Sequence, residues 1–315
     1  MTNRKKEIPE VDIVVDEEKG VIREVKSEEH LRSKKAHEKH INNTIHTVLV
    51  IISIVWLCPF VFLVLQSFRS YLTESGGMVD YVIPHHFSLD NYRYLFEDGL
   101  FFRWYGNTLL IACVCAVVQT VIVLSVSYAL SRMRFRGRKL FMNVVLVLGM
   151  FPGFLTMIAL YFLLKQLGLT QQGAIPGLIL IYCASSGMGY YISKGFFDTI
   201  PKSLDESARI DGATRFQVFR KIILPMSKPI VIYTIMMAFM APWGDYVFAS
   251  YVALGHSASY NVAVGLYRWV NTNDYQGFFT RFCAGGVLVA IPITLLFMFL
   301  QKYYVEGVTG GAVKG

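Results

Sequence analysis

Apolar residues in this chain gather into long unbroken blocks separated by short charged stretches. The blocks show neither the alternation of a half-buried strand nor the single stripe of an amphipathic helix. Six of them run at about 47–66, 108–130, 140–164, 174–197, 229–248 and 282–301. Each approaches the roughly 20 residues that carry a helix across a bilayer core. Lipid offers the backbone no hydrogen-bond partner, so segments this long and uniformly apolar predict helices and exclude barrel strands. The expected fold is an all-α membrane protein. Residues 47–301 form a six-helix transmembrane domain between a tail, 1–46, and a short Gly-rich end, 302–315.

One stretch breaks the pattern. Between the fourth and fifth blocks lies PKSLDESARIDGATRFQVFRKIILP, residues 201–225, polar and amphipathic. Ser203-Leu204-Asp205-Glu206 has the form of a capping box and predicts a helix start. Gly212 predicts a bend, since glycine tolerates left-handed geometry. Thr214-Arg215-Phe216-Gln217 offers a second box. Phe216, Phe219 and Ile223 recur at helical spacing and make an apolar stripe suited to a groove on another protein. Physics alone leaves a second reading open, a helix pair lying on lipid headgroups. Glu206-Ser207-Ala208, three residues, Gly212, nine residues, then Ile222, Leu224 and Pro225 resembles the EAA loop of ABC importer permease subunits, E-A-A-x3-G-x9-I-x-L-P. Only Ser207 departs from that pattern, standing where the family has Ala. The resemblance implies a type I importer permease fold and a cytoplasmic helix–bend–helix loop that couples to an ATPase. Glu206, Ser207, Ala208, Gly212, Phe216, Phe219, Ile222, Leu224 and Pro225 are its expected coupling residues.

Charge sets an orientation. The first 46 residues, the segment Arg132-Met133-Arg134-Phe135-Arg136-Gly137-Arg138-Lys139 and the 201–225 loop are rich in Lys and Arg, and all lie on one side of the predicted spans. By the positive-inside rule that side is cytoplasmic, with both termini. The net charge of +8 is therefore a topology signal. The cations border spans instead of alternating with base-stacking aromatics, which argues against nucleic acid. The tail 1–46 is charged and aromatic-free, so it is expected to be disordered or partly helical near the membrane. No cleavable signal precedes the first block. His37 and His40 form a lone H-x2-H in a Lys-rich tail, read as solvated and not as a metal site. The five cysteines all fall within predicted spans, as expected of apolar packers. No nucleophile motif, zinc motif or Walker A sequence is present, so if ATP drives this protein, another polypeptide binds it.

Within the spans, Pro152, Pro176, Pro242 and Pro292 can kink helices, and the pairs Gly149/Gly153 and Gly173/Gly177 permit close helix contact. Gln119, Ser125, Ser127, Ser185, Ser186, Thr234 and Thr294 line a hydrated path or bond between helices, the latter being preferred for most. Asp245, costly in lipid, is expected to face protein or water. Trp243-Gly244-Asp245-Tyr246 is similar to a Trp-Asn-acidic-aromatic element of carbohydrate ABC permeases, with Gly for Asn. That likeness makes Asp245 and Trp243 the candidate pathway or gate residues.

Two outer segments, 67–107 and 249–281, point to a soluble partner. Phe87-Ser88-Leu89-Asp90-Asn91-Tyr92 resembles the F-T-L-x-N-Y element after the first span of sugar permeases. The segment from Ala249 to Arg281 offers Tyr260, Tyr267, Trp269 and Tyr275 as binding-protein contacts or as an interfacial belt. The ending Glu306 to Gly315 resembles the Gly-rich end of the second permease of maltose-type importers. The resemblance implies a permease subunit of a carbohydrate importer in a bacterial membrane. Its implied partners are a second, different permease, two ATPase subunits holding ATP and Mg, an extracytoplasmic solute-binding protein and the sugar. The chain itself then carries no cofactor and no catalytic or metal-binding residues. Other readings are an ABC permease for a polyol or glycerol-phosphate, or a secondary transporter driven by an ion gradient.

Overall fold

The computed structural model describes the backbone of residues 13–16, 21–24, 28–70, 82–270 and 275–312. The chain divides into two units, Met1–Phe62 and Leu63–Gly315. The described part of the first carries an antiparallel hairpin of β1 (Ile13–Asp16) and β2 (Val21–Glu24), pairing Ile13 with Glu24 and Asp16 with Val21. Helix α1 (Glu28–Ser67) then runs into the second unit. The tail expected to be disordered or partly helical thus has a hairpin and a helix that starts well before the first apolar block.

The second unit continues through α2 (Asp90–Glu97), α3 (Leu100–Arg132), α4 (Arg138–Gly149), α5 (Gly153–Gln166), α6 (Ala174–Ala184) and α7 (Gly187–Thr199). The polar loop contributes α8 (Lys202–Ile210), α9 (Arg215–Val218), a π-helical turn over Phe219–Ile223 and α10 (Leu224–Met226). Then follow α11 (Lys228–Gly244), α12 (Val247–Ala253), α13 (Val262–Val270) and α14 (Tyr275–Ala312). The Gly-rich end expected to trail from the last span is helical as far as Ala312.

Among the described residues, four helical stretches are long and apolar enough to cross a membrane: Lys39–Ser67, Leu100–Arg132, Gln171–Thr199 and Phe279–Tyr303. Two bent pairs raise this to six if each counts as one crossing: α4 with α5, turned by 105°, and Arg215–Met226 with α11, turned by 85°. The third predicted span is therefore no straight rod. Pro152 has no amide to continue the helical ladder and stands as the N-cap of α5. Gly149 and Gly153 flank this break, and a Cβ at either would meet nothing of this chain within 4 Å, so they contact no other helix of the chain. Gly173 and Gly177 press instead on the turn at Gly168 and Leu169, where a Cβ on Gly177 would lie 2.2 Å from the Leu169 carbonyl oxygen. Pro176 sits in the first turn of α6, where a missing amide does no harm.

Helix α3 is the centre of the fold, packed by α6, α7, α11 and α13. Phe101, Trp104, Thr108, Ile111 and Cys115 mark its buried face at spacings of three and four. Around them, Trp269, Tyr260, Phe248, Val252 and Trp243 complete the core. Gly265 in α13 lies so near α3 that a Cβ there would be 2.0 Å from the Trp104 ring.

The element after α1 is held by its asparagine. Fully buried Asn91 donates from Nδ2 to the carbonyls of Ser67 (2.9 Å) and Arg69 (2.8 Å), and its Oδ1 accepts from Thr280 Oγ1 (2.8 Å). Tyr92 Oη lies 2.8 Å from Ser67 Oγ. The F-S-L-D-N-Y motif therefore ties the end of α1, helix α2 and helix α14 together.

Candidate coupling loop and helix break

The polar loop folds as a bent pair of short helices, with its first boundary two residues earlier than the capping pattern predicts. Pro201, at φ −57°, is the N-cap of α8, and no side chain caps that end. Ser203 is already inside the helix, so Ser203 and Glu206 do not form a box. A proline here leads into the helix without losing a needed donor.

The bend is a Schellman closure. Gly212 takes φ +86°, its amide donates to the Arg209 carbonyl (3.1 Å), and the Ala213 amide reaches back to the Ala208 carbonyl (2.9 Å). Ala213 packs on the same small cluster that contains buried Ala208. The second box forms as expected: Thr214 N donates to Gln217 Oε1 (2.7 Å) and Gln217 N to Thr214 Oγ1 (3.3 Å). Pro225 lacks an amide for the Lys221 carbonyl, and the helix widens into the π turn just before it. Buried Ser227 is the joint to α11.

Side-chain placement divides the expected coupling residues. Glu206, Ser207, Gly212 and Pro225 are exposed, Ala208 is buried, and Ile222 and Leu224 are half-buried. The apolar stripe does not act as one face. Ile223 is fully buried, and Phe219 stacks on Tyr128 of α3 at 4.6 Å between ring centroids. Phe216 alone of the three is open, at 67 % exposure.

Sequence reasoning missed the residues that fix this loop to the bundle. Arg132, at the end of α3, meets Asp205 of α8 with Nε 3.0 Å from Oδ2, their side chains 5 % and 15 % exposed. Arg132 Nη2 also donates to the Ile200 carbonyl (2.8 Å), and Tyr128 Oη to that of Arg215 (3.3 Å). One turn away, Ser131 Oγ donates to Asp198 Oδ1 (2.6 Å), and Asp198 also pairs with Lys194. Burial pushes the Asp205 carboxyl above its ordinary range, against the pull of the Arg132 guanidinium. Arg132 counted in the sequence only as one of many orienting cations. Its position at the exact foot of a span was the one available signal.

At the other end of α11 the helix breaks around Asp245, and the Asp245 carboxylate and the Asn261 amide hold the break. Asp245 Oδ1 accepts from the Phe248 amide (3.0 Å), capping α12, and Oδ2 accepts from Tyr182 Oη (2.6 Å). Asn261 Nδ2 donates to the carbonyls of Pro242 (3.1 Å) and Asp245 (2.7 Å). Asn261 thus supplies donors to the backbone on both sides of Gly244 from further along the chain. Trp243 is 4 % exposed, edge-on to Tyr105 at 5.2 Å. The pair expected at a gate therefore consists of a core tryptophan and a half-buried helix cap.

Removing the Asp245 cap is expected to cost about 1 kcal/mol, with more from the stranded Tyr182 hydroxyl. Asp245→Ala should therefore lower both the melting temperature and transport, while Asp245→Asn, which keeps an acceptor for the Phe248 amide and offers an N–H that the Tyr182 oxygen can accept, stays near wild type in both. Equal loss of transport in the two variants, at unchanged melting temperature, would instead assign the carboxylate to the solute.

Other expected contacts are also internal. Tyr260 and Trp269 are buried against Trp104, while Tyr267 is exposed and stacks on Tyr246 at 4.1 Å. The Tyr275 side chain lies outside the described residues. Gln119 donates to Ser186 Oγ (3.0 Å) and Ser127 to the Tyr190 carbonyl (3.2 Å), the interhelical bonding preferred for such residues. Among the described residues no cluster of His, Cys, Asp or Glu is placed to hold a metal.

A bundle of long apolar helices with a rigid polar bend at one end and a capped helix break at the other is a membrane permease. This chain belongs to the family of binding-protein-dependent transport system inner membrane components, whose profile matches residues 121–310. It is 36% identical over 268 residues to the maltodextrin transport system permease protein MdxG of Bacillus subtilis, covering 85% of this chain and 94% of that one. It is 40% identical over 239 residues to the galactooligosaccharides transport system permease protein GanQ of the same organism, covering 74% and 83%. The maltose/maltodextrin transport system permease protein MalG of Escherichia coli is 31% identical over 290 residues, covering 86% and 95%. In fold, the chain is similar to a chain in the crystal structure of a bacterial ABC transporter involved in alginate import, at a TM-score of 0.72 and 22% identity over 85% of this chain and 98% of that one. The fold is that of a type I ABC importer permease, and the chain is a transport subunit whose family leaves ATP hydrolysis to a separate polypeptide.

Proposed function

We propose that this chain is one of two unlike permease subunits of an importer that takes up a sugar or oligosaccharide of the maltodextrin kind. An extracytoplasmic solute-binding protein delivers the sugar. Two ATPase subunits, which hold ATP and Mg, dock on the opposite face of the bacterial cell membrane. Both termini and the 201–225 loop are cytoplasmic, in keeping with the cations gathered on that side.

The loop acts as a rigid lever. The observation that carries this reading is its double anchorage: Gly212 sets the bend by backbone geometry, and Arg132 with Asp205 ties α8 to the foot of α3. A load on the exposed loop is then passed to α3 and, through Ser227, to α11. Helix α11 ends at the Asp245 break on the outer side. Closure of the ATPases moves both helices together and opens the path to alternate sides in turn. Glu206 and Phe216 face the ATPase groove, Gly212 and Ala208 hold the shape, and Phe219, Ile222 and Leu224 support the helix from beneath.

Phe216→Ser tests the groove contact directly. Burying a phenylalanine is worth about 2 kcal/mol, roughly 30-fold in affinity. The ATPase subunit should co-purify with the wild-type chain in detergent and be largely lost from the variant, while the second permease stays bound. Undiminished recovery of the ATPase would remove Phe216 from the contact.

A further inference from the structure

The cytoplasmic foot of α3 and the coupling helix α8 border a cavity of about 390 Å³ that shares only Glu206 with the proposed ATPase contact. Its lining is strongly basic. Arg132, Arg134, Arg138, Lys202, Arg209 and Arg215 converge from α3, the 133–137 turn, α4, α8 and α9, against only Asp205 and Glu206. Arg132 sharpens the point. Its side chain is 5 % exposed, yet Nη1 has no hydrogen-bond partner among the described residues. A buried guanidinium donor left over beside an excess of positive charge fits a ligand with anionic oxygens. A water molecule would satisfy the donor and leave the charge excess unanswered.

A second hollow, about 680 Å³, adjoins the first and shares Arg134 and Arg138 with it. Phe135, Gly137, Lys139 and Leu140 complete this hollow, and both Phe135 and Leu140 are exposed. The apolar residues lead onto α4, whose Val144, Val147 and Leu148 are also open. A free inorganic anion has no use for that apolar continuation, whereas a lipid places its phosphate among the cations and its chains along α4.

We propose that the 133–137 turn and the coupling helix together hold the phosphate headgroup of an anionic membrane lipid. The lipid bridges the foot of α3, the start of α4 and α8, so it braces the lever beside the Arg132–Asp205 pair. Binding stands on the cavity alone. Its consequence for ATP hydrolysis rests on the coupling role proposed above, and the two are measured separately.

The full chain, purified with whatever partners it retains, is placed in nanodiscs of phosphatidylcholine with equal parts phosphatidylglycerol, then released for native mass spectrometry to count retained phosphatidylglycerol. Arg134→Gln/Arg138→Gln should lower retention roughly 25-fold, since each basic group near an anionic surface contributes on the order of fivefold. Arg136→Gln, the same charge change in the same turn but outside both hollows, should leave retention unchanged. Equal retention in all three proteins, or none in the wild type, overturns the site. Displacement of the lipid by millimolar inorganic phosphate in wild type, with no preference for the lipid, overturns the lipid assignment and leaves a site for free phosphate. ATP hydrolysis in the same discs reads the coupling consequence: loss of lipid dependence in the double variant supports it, and unchanged dependence refutes it without touching the binding result.

Discussion

Arg132→Met is expected to destabilise the coupling region more than any other single change in the chain. The substitution keeps the aliphatic stem that packs at the foot of α3 but strands Asp205, which is 15 % exposed and already pushed up by burial. Removing one partner of a buried ion pair costs about 3–5 kcal/mol, and the lower end applies here because Lys202 still acts on Asp205. The carbonyl of Ile200 loses its donor at the same time. The reciprocal change, Asp205→Asn, leaves a neutral group and should cost less. The double variant Arg132→Met/Asp205→Asn should recover a substantial part of the loss, and that recovery separates the pair from simple packing. Proteolytic nicking between α7 and α9 is the direct readout: fast in Arg132→Met, slow in wild type, intermediate in the double variant. Strictly additive effects would mean that the pair does not brace the loop.

Gly212→Val is expected to uncouple ATP hydrolysis from uptake while insertion and subunit abundance persist. The cause is backbone strain, not crowding. A Cβ at Gly212 would meet nothing within 4 Å, but φ is +86°. A non-glycine residue in the left-handed region costs about 1–2 kcal/mol, more when β-branched. The loop answers by relaxing φ, which breaks the reach of Ala213 to Ala208 and swings α9 away from Tyr128. Asn tolerates left-handed geometry best among the other residues. Gly212→Asn should therefore retain most uptake, Gly212→Ala less and Gly212→Val least. Uptake of labelled sugar beside ATPase activity decides the point. Normal transport by the Val variant, or an order that follows side-chain volume alone, would refute the bend as the origin of the effect.

The 201–225 loop is unusually legible in the sequence, for reasons that are local. Gly212 announces a left-handed turn because few other residues adopt one, and Thr214 with Gln217 announces a cap because both bonds close within four residues. The same reasoning failed at Ser203. Pro201 already fixes the start of α8, so the serine arrives too late to cap. Local pattern also overreached at Phe219: helical spacing grouped it with Phe216, and the arrival of Tyr128 from α3 took it out of the exposed face. Trp243, Tyr260 and Trp269 show the same limit, since an aromatic near a membrane boundary has the same composition signal whether it meets a partner or the core.

Alone, the sequence determined the class of the molecule: apolar blocks of bilayer length, cations on one side, a capped polar bend between two blocks, and no catalytic constellation. These are properties of chain segments in contact with lipid or water, and they need no knowledge of neighbours. Only the tertiary structure decided which face of α3 is buried, because a span that is apolar all round carries no stripe to mark it. Only the structure turned the third block through 105° and gave Asp245 the task of capping α12. It also brought Arg132 to Asp205 across 73 positions of chain, 132 to 205, a pairing of charges that sequence spacing does not encode and packing of α3 against the loop does.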